Sequence, residues 1–439
     1  MVTQSLRRRL ADARGSLNYY SASTVESANA RHLIISGSWV GLIEGGIITY
    51  LPVFLARLGA SPVMLGLFTS GQFLLGSIAY IPGGAFAERQ RDQVQVANVS
   101  SVIARSVYLV IALLPFFLAP ADIVLAAVIV WTLMALPLAV FVPSFFTVLQ
   151  QAVPLGRRSQ FLGVRWSVMT VVSALSIPLF GLLLDHTPEP TGYQIVFGIS
   201  FLAGLLHVVN FSRVRVPPFV GAADSGNADG NLMTRLHRFM QPFVESRLFV
   251  RYSLATLGFR LALYVPYALF SIYWVDNLQA SDTVIGLRGG VGYAALAVGY
   301  ILWGRWSRQW GDRIVLLISG LLFGSYPVVT ALLPTPDYLP LAAVLWGLAG
   351  SGIDIGLFAM MMAVSPEDKR PRFVAATYVL SSITSFIGPM LGAALAEIVD
   401  VRSALFVGGG LQLATALLLL GLPRRDEIPD PSGADGIVG

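Results

Sequence analysis

The sequence of 439 residues contains no cysteine, only one lysine and few charged side chains. Without cysteine the chain cannot form a disulfide, an iron–sulfur site or a zinc site with thiolate ligands. Its four histidines are scattered without the spacing of metal ligands, so we expect no metal and no cofactor. The sequence also lacks a phosphate-binding Gly-Lys-Ser/Thr motif and a Gly-x-Ser-x-Gly motif, which argues against an ATP-driven pump and against an enzyme.

The low content of charge excludes an ordinary soluble domain. Only 12% of the residues are charged, against about 25% in a typical soluble domain, and 55% are hydrophobic. The mean hydropathy is +0.71. The net charge is +5, but the basic residues lie in short clusters between apolar runs, as they do in the loops of membrane proteins. We therefore expect a protein that contacts membrane lipids and binds no nucleic acid.

Twelve apolar runs are long enough to cross about 30 Å of hydrocarbon at about 1.5 Å per residue. The sequence therefore predicts an all-α membrane protein with twelve transmembrane helices. The predicted spans are approximately 33–55, 62–86, 95–118, 122–149, 160–184, 193–212, 249–275, 282–304, 313–333, 338–362, 372–396 and 400–422.

The distribution of basic residues predicts the orientation of these spans. Arginine and lysine cluster in alternate loops, and the remaining loops contain only Arg57 and Arg402 beside several acids. Because basic loops stay in the cytoplasm, we expect both termini there. The segment before the first span carries Arg7, Arg8 and Arg9 without a following apolar run, so we interpret it as a cytoplasmic tail.

The two halves of the chain resemble each other. A shift of 220 residues, with no gap, aligns Gly66 with Gly286. Seven further pairs are identical under the same shift: Ala60 and Ala280, Ser61 and Ser281, Leu67 and Leu287, Tyr80 and Tyr300, Ile81 and Ile301, Gly84 and Gly304, and Asp92 and Asp312. A period of half the chain is too long for a solenoid and indicates two homologous halves.

A short charged loop follows the second and the eighth predicted span. The first copy contains Gly84, Glu88, Arg89 and Arg91, and the second contains Gly304, Arg308, Asp312 and Arg313. A second pair of motifs, Ser176–Gly181 in the fifth span and Phe386–Gly392 in the eleventh, carries Pro and Gly at similar places. With twelve spans in two sets of six and a long central loop, this pattern resembles the major facilitator superfamily.

The resemblance implies two pseudo-symmetric six-helix bundles. We predict a cytoplasmic tail over residues 1–30, an N-terminal bundle over 31–213, a cytoplasmic linker over 214–248, a C-terminal bundle over 249–422 and a second tail over 423–439. Within the linker, apolar residues recur at helical spacing, which predicts an amphipathic helix on the inner membrane surface. They are Leu232, Leu236, Phe239, Phe243 and Val244.

The charged loops are candidates for a gate. A glycine at the end of a span lets two helices approach closely, and an acid followed by arginine can bridge neighbouring helix ends when that face is shut. The predicted gating residues are Gly84, Glu88, Arg89, Arg91, Gly304, Arg308, Asp312 and Arg313. The alternative is that the arginines only bind anionic lipid headgroups.

Four ionisable residues lie about 15 to 17 Å from the nearest cytoplasmic end of their spans, which is the middle of the bilayer. They are Glu44, Arg105, Arg260 and Asp354. Charges at this depth are costly and suggest a function. The resemblance implies that spans 1, 4, 7 and 10 line a central cavity, which would contain Glu44, Arg260 and Asp354. We expect Arg105, in span 3, to point inward and pair with an acid or with carbonyls, with Glu44 as the nearest candidate, and a substrate ligand is the alternative.

Further polar and aromatic side chains could line the same cavity. Arg165 and Arg288 lie nearer the mouths of the pore, where they either line it or extend to water. Gln72, Trp39, Tyr50, Tyr264, Tyr267 and Trp346 could add hydrogen bonds and flat apolar surface, and packing within the bundle is the alternative. For His207 we expect a structural hydrogen bond.

These features predict a secondary transporter that works by alternating access and moves a small organic solute, with efflux slightly favoured. Within the spans arginine outnumbers acids, which suggests an anionic or amphipathic substrate. Protons are the expected coupling ion, through Glu44 or Asp354. Uptake of a small organic anion, a uniporter and a transporter-like receptor without flux remain alternatives. We expect a monomer in the cytoplasmic (inner) membrane of a bacterium.

Overall fold

A computed structural model of the protein describes residue 20, residues 23–219, 240–366 and 369–423, and residue 427. The described chain is helical, and twelve helices are long and apolar enough to cross a membrane, as predicted. The spans, numbered 1 to 12, are Val25–Arg57, Pro62–Glu88, Gln93–Phe116, Pro120–Ala152, Gln160–Asp185, Thr191–Phe211, Arg247–Asn277, Asp282–Trp310, Asp312–Leu332, Pro336–Ala363, Arg372–Ile398 and Val401–Gly421.

The repeat detected in the sequence is also visible at the helix starts. The Ser61 hydroxyl accepts the N–H of Met64, three residues into span 2, and Ser281 caps span 8 in the same way. Serine is among the best residues at this position because its oxygen satisfies an amide that the helix leaves free. The paired serines of the repeat therefore begin equivalent helices in the two halves.

Two pseudo-symmetric interfaces join the halves, and each uses one copy of the repeated glycine. Gly66 of span 2 packs on Pro389, Met390 and Ala393 of span 11. Gly286 of span 8 packs on span 5, so closely that an added Cβ would lie 3.0 Å from the carbonyl oxygen of Ile177. The Pro and Gly motifs of spans 5 and 11 thus meet the glycines of the other half, because small residues allow helix axes to approach.

Spans 1 and 7 are interrupted at equivalent points. Span 1 widens to a π-helical turn at Glu44–Ile48, and span 7 breaks into a turn over residues 265–268, at Pro266. The freed backbone groups find side-chain partners. Ser200 accepts the N–H of Ile47, and the Gln412 side-chain amide donates to the carbonyls of span 7 just before the break. Such breaks are tolerated at membrane depth only where neighbours satisfy the backbone in this way.

The start of span 1, residues 214–219 and 240–246 of the linker, and the end of span 12 lie at one end of the bundle, which we call the terminal end. There Asn29 exchanges two hydrogen bonds with the backbone of Arg215, and the N–H of Phe219 donates to the Arg91 carbonyl. Of the predicted amphipathic helix, Leu232, Leu236 and Phe239 lie outside the described residues. Residues 240–245 are helical, Phe243 packs on Phe249, and Val244 is exposed.

Candidate functional site

The end of the bundle opposite the terminal end is sealed by polar bonds between the halves. Arg57, at the end of span 1, forms an ion pair with Asp282, the first residue of span 8, at 3.0 Å. The same guanidinium donates to the Ala280 carbonyl, and the Tyr193 hydroxyl of span 6 donates to the Asp282 carboxylate at 2.9 Å. We call Arg57, Tyr193, Asp282 and Asp185 the latch, and this side of the bundle the latch end.

Asp185, the last residue of span 5, completes the latch. Its carboxylate accepts the backbone N–H groups of Asp282 and Thr283 at 2.8 and 3.0 Å. A carboxylate at the first turn of a helix is favoured by the free amides and the helix dipole. Tyr50, predicted as a possible cavity residue, lies fully buried beside the latch instead, where its hydroxyl donates to the Ile177 carbonyl at 2.7 Å.

Among the described residues Arg105 and Glu44 form no ion pair within 4.0 Å, and Arg105 donates to the Tyr108 hydroxyl instead. Arg105 is half-buried in span 3 and faces span 6, where Gly204 leaves room for its methylene groups. The Arg105 charge acts on Glu44, whose carboxylate also interacts with the Tyr293 hydroxyl of span 8. Glu44 therefore interacts with Arg105 in its own half and with Tyr293 in the other half.

A second carboxylate is held in the other half. Asp354 of span 10 accepts a hydrogen bond from the Tyr300 hydroxyl of span 8 at 2.8 Å, and the charge of Arg260 in span 7 acts on it. Arg260 also interacts with the Tyr252 hydroxyl. Asp354 is exposed although it lies in the middle of its span. A carboxylate that faces hydrocarbon at this depth would be costly. That Asp354 lines a central cavity remains a prediction.

Arg165 does not occupy a pore mouth, where the sequence placed it, but is buried inside the first half. Only 6% of the residue is exposed, and Gly37 of span 1 leaves space for its side chain. The guanidinium lies 5.0 Å from the Phe145 ring centroid, and its Nε has no hydrogen-bond partner. His207 lies within electrostatic reach of the Arg165 guanidinium. Its Nδ1 forms a hydrogen bond with the Ser36 carbonyl at 3.2 Å, as expected for a structural histidine.

Arg288 of span 8 lies among three aromatic rings of the second half. Its guanidinium carbon is 4.0 Å from the Trp274 centroid, 5.8 Å from that of Tyr326 and 5.7 Å from that of Trp346. The Nε donates to the Tyr326 hydroxyl at 3.0 Å. We call these four residues the arginine cage. Tyr267, after the break in span 7, is 56% exposed and lies within electrostatic reach of both Arg288 and Glu44.

The other residues proposed for the cavity have more local partners. Gln72 donates to the Trp131 carbonyl at 2.8 Å, where span 4 is irregular, so this amide supports the helix. Trp39 packs against the core of the first half, and its buried indole N–H has no partner. Tyr264 stacks edge-on to Tyr267 and contacts Phe73 of span 2 across the two halves.

At the terminal end, the structure describes no packing of the two predicted gating loops against each other. Among the described residues, an added Cβ at Gly84 or Gly304 would meet nothing within 4 Å, so the close approach expected at these glycines is not seen there. The glycine that allows close packing is Gly83, whose Cβ would lie 2.7 Å from the Ala139 carbonyl oxygen.

Of the charged gating residues, Glu88, Arg89, Arg91 and Arg308 are exposed. The second loop is tied within its own half, since Ser307 donates to Asp312 and Arg313 donates to the Leu420 carbonyl. A gating role for the eight loop residues remains a prediction.

The latch was missed by sequence reasoning, although one signal for it was present. Arg57 is one of two basic loop residues on a side otherwise populated by acids, among them Asp185 and Asp282. Asp282 lies 225 residues away from Arg57 in the chain. Pairing over such a separation depends on how the two halves dock, which the helical periodicity of each half does not encode.

Comparison with known proteins extends the fold assignment. A sequence model of the Major Facilitator Superfamily matches residues 252–437. An MFS-type transporter of Claviceps purpurea is 22% identical over 161 residues, which is 36% of this chain and 28% of that protein. An efflux pump of Fusarium langsethiae is 27% identical over 107 residues, which is 24% of this chain and 20% of that protein. The chain thus spans less than a third of the length of these fungal relatives.

Two solved structures share the fold at low identity. A bacterial homologue of the human lysosomal transporter Spinster, in an inward-facing and occupied conformation, matches with a TM-score of 0.66 and 16% identity, over 91% of this chain and 96% of that one. A bacterial homologue of the iron transporter ferroportin, in an inward-facing state, matches with a TM-score of 0.66 and 14% identity, over 91% and 99%. With its twelve spans in two pseudo-symmetric halves, the chain is a multi-pass integral membrane protein that shares the fold of these two structures, and its residues 252–437 match the sequence model of the Major Facilitator Superfamily.

Proposed function

We propose that the protein is a secondary transporter that moves a small organic solute by alternating access. The observation that carries this proposal is the asymmetry between the two ends of the bundle. The halves are bonded through Arg57 and Asp282 at the latch end, while Asp354, deep in the bilayer, is exposed. A site that is sealed on one side and open on the other is what one state of such a cycle requires.

The two carboxylates near the middle of the membrane, Glu44 and Asp354, are the proposed coupling groups. Each has a cation in its own half and a tyrosine hydroxyl from span 8: Arg105 and Tyr293 for Glu44, and Arg260 and Tyr300 for Asp354. Span 8 also carries Asp282 of the latch. A change in the protonation of either carboxylate would alter its bond to the helix that must move when the latch opens, which supports proton coupling.

The direction of transport and the membrane are also part of this proposal. The matched relatives include proteins named efflux pumps, which supports efflux. Uptake of a small organic anion is the second candidate, favoured by the surplus of arginine over acids within the spans. Short loops at the latch end and basic clusters in the alternate loops support the cytoplasmic membrane of a bacterium with both termini inside.

The test is flux in proteoliposomes that contain the purified protein and a pH-sensitive dye. Anions, zwitterions and lipophilic cations are added outside in turn, and the internal pH is followed. We expect a proton flux that depends on one class of solute and is lost in Glu44→Gln or Asp354→Asn. Asp337→Asn is the matched control. Asp337 is an exposed carboxylate at the start of span 10, so this variant should keep the flux.

Three other outcomes have distinct meanings. Labelled solute that crosses without proton movement would make the protein a uniporter or an exchanger of another ion. If a protein with both Glu44→Gln and Asp354→Asn still shows the proton flux, neither carboxylate is required for coupling. Binding without any flux would favour a transporter-like receptor and overturn the proposal.

A further inference from the structure

We propose that the arginine cage binds the carboxylate of an aromatic organic acid, and that this class of compound is the cargo. The inference rests on the proposed transport function and adds to it the chemical class of the substrate and the residue that selects it. It is carried by the charge balance of the cavity, the geometry of Arg288 and the path from the cage to the latch.

The charge balance identifies Arg288 as the cation that is free to receive an anion. Arg105 lies within electrostatic reach of Glu44, and Arg260 lies within electrostatic reach of Asp354. Among the described residues Arg288 forms no ion pair with an acid, and its partners are three aromatic rings and one hydroxyl. A cation within a membrane span that has no counter-ion favours an anionic ligand.

The surroundings of Arg288 determine how that anion would bind. The Trp274 ring, 4.0 Å from the guanidinium carbon, covers the guanidinium, and the Nε is committed to Tyr326. The two terminal nitrogens remain as a planar pair of donors. These two donors match the two oxygens of a carboxylate. The contacts with Trp274 and Tyr326 fix the position of the guanidinium without neutralising its charge.

Aromatic side chains next to the cage favour a flat apolar body on the same molecule. Trp346 of the cage packs against Tyr293, with ring centroids 5.8 Å apart, and Tyr264 and Tyr267 form a second pair at 6.2 Å. Tyr267 is 56% exposed, so its ring faces open space. Rings prefer offset or edge-on contact with other rings, and such walls bind an aromatic ligand better than an aliphatic one.

The cage is also joined to the latch. The Trp274 carbonyl accepts the N–H of Ala280 at 2.8 Å, and the Ala280 carbonyl accepts the Arg57 guanidinium at 3.1 Å. Arg288 lies on the same helix as Asp282, six residues further along. A carboxylate that pulls Arg288 away from Trp274 would therefore disturb the turn on which the latch depends.

Binding of 1-naphthoate to the purified protein in nanodiscs, measured by calorimetry, tests the inference apart from transport. We expect 1-naphthoate to bind at least tenfold more tightly than 1-naphthalenemethanol, 1-naphthylmethylammonium and cyclohexanecarboxylate. Loss of a charge-assisted bond should weaken 1-naphthoate binding by about tenfold or more in Arg288→Gln. Arg288→Lys, which keeps the charge but not the planar fork, should bind with intermediate affinity. Arg402→Gln, at an arginine that donates to the Ala331 carbonyl, should bind as the parent does.

The outcomes separate this inference from the proposed function. If 1-naphthoate binds in an Arg288-dependent way but no solute crosses the membrane, the cage is confirmed and transport is not. If flux of another solute is found and is unchanged in Arg288→Gln, transport stands and the inference is overturned. Equal binding of the neutral and cationic naphthalenes, or no binding of 1-naphthoate to a protein with an unchanged melting temperature, also overturns it.

Discussion

The guanidinium of Arg57 lies 3.0 Å from the carboxylate of Asp282, and the two residues belong to different halves of the molecule. The Asp282 side chain is 5% exposed and that of Arg57 is 20% exposed. An ion pair with this degree of burial, supported by hydrogen bonds from Tyr193, is worth more than a surface pair. Removing Asp282 leaves Arg57 with the longer contact to Glu189, at 3.5 Å, whose side chain is 57% exposed.

Asp282→Ala should therefore favour opening of the latch end. Breaking a buried pair costs about 3–5 kcal/mol, and about 1.4 kcal/mol already changes a population tenfold. Since the chain contains no cysteine, Tyr267→Cys provides a single labelling site in the cavity. We expect a membrane-impermeant maleimide added on the latch side to label it about tenfold faster, or more, in Asp282→Ala.

Asp337→Asn in the same Tyr267→Cys background is the control and should label at the parent rate. Equal labelling rates in all three proteins would show that the latch does not hold this end closed. Labelling from each side of oriented vesicles also reports which end faces the cytoplasm, and we expect the terminal end to do so.

Gly83 and Gly84 provide a matched pair for the packing and gating roles. An added methyl group at Gly83 would lie 2.7 Å from the Ala139 carbonyl oxygen, whereas Gly84 has open space. Overpacking of this kind costs about 1–3 kcal/mol. Gly83→Ala should thus lower the melting temperature in detergent, and Gly84→Ala should not.

Transport should respond differently in the same two variants. If the Gly84 loop closes against the other half later in the cycle, Gly84→Ala will slow transport in a protein of normal stability. Full transport by Gly84→Ala would contradict a gating role that depends on close approach at this glycine.

Ser200 supports the π-helical turn that carries Glu44. Its hydroxyl accepts the Ile47 N–H at 3.1 Å and donates to the Val196 carbonyl at 2.9 Å. Without the hydroxyl, the buried Ile47 amide has lost its acceptor, at a cost of about 1–3 kcal/mol. Ser200→Ala should lower the melting temperature, while Ser325→Ala, whose hydroxyl bonds its own helix at an exposed position, should change it little. Equal effects would show that the turn does not depend on Ser200.

Arg165 and Arg158 predict opposite effects of the same substitution. Arg165 is buried without an acid partner among the described residues, so replacing it by a methionine of similar length removes the cost of burying a charge. Arg158 donates to the Val153 and Gln150 carbonyls at the end of span 4. We expect Arg165→Met to raise the melting temperature and Arg158→Met to lower it. A fall in both would indicate that Arg165 has an unobserved favourable partner.

Much of the fold could be predicted because it depends on local patterns. Apolar runs predicted the twelve spans, and the 220-residue repeat predicted that Ser61 and Ser281 begin equivalent helices. Depth along a span predicted that Glu44 and Arg105 lie at similar depth, and the charge of Arg105 acts on Glu44. Depth along a span does not specify on which face of the helix a residue lies. For this reason Arg165 was expected near water but is buried, and close packing was predicted at Gly84 but occurs at Gly83.

The latch and the cage depend on contacts between segments that are distant in the sequence. Arg57 and Asp282 are joined only when the halves dock, and Trp274 reaches Arg288 only because span 7 widens to a π-helical turn at Tyr273–Asn277. Neither event leaves a periodic signal in the chain.

The duplicated architecture does not duplicate the latch. Ser61 and Ser281 occupy equivalent positions, but the next residue is Pro62 in the first copy and Asp282 in the second, so only the second can form the ion pair. The interface on the other side joins Gly66 to Ala393 and Met390 through apolar contact. Separation of the halves at the latch end therefore requires the rupture of polar bonds along one edge and only sliding along the other. The two halves would therefore separate by a rotation in which the interface of spans 5 and 8 opens and the interface of spans 2 and 11 acts as the hinge.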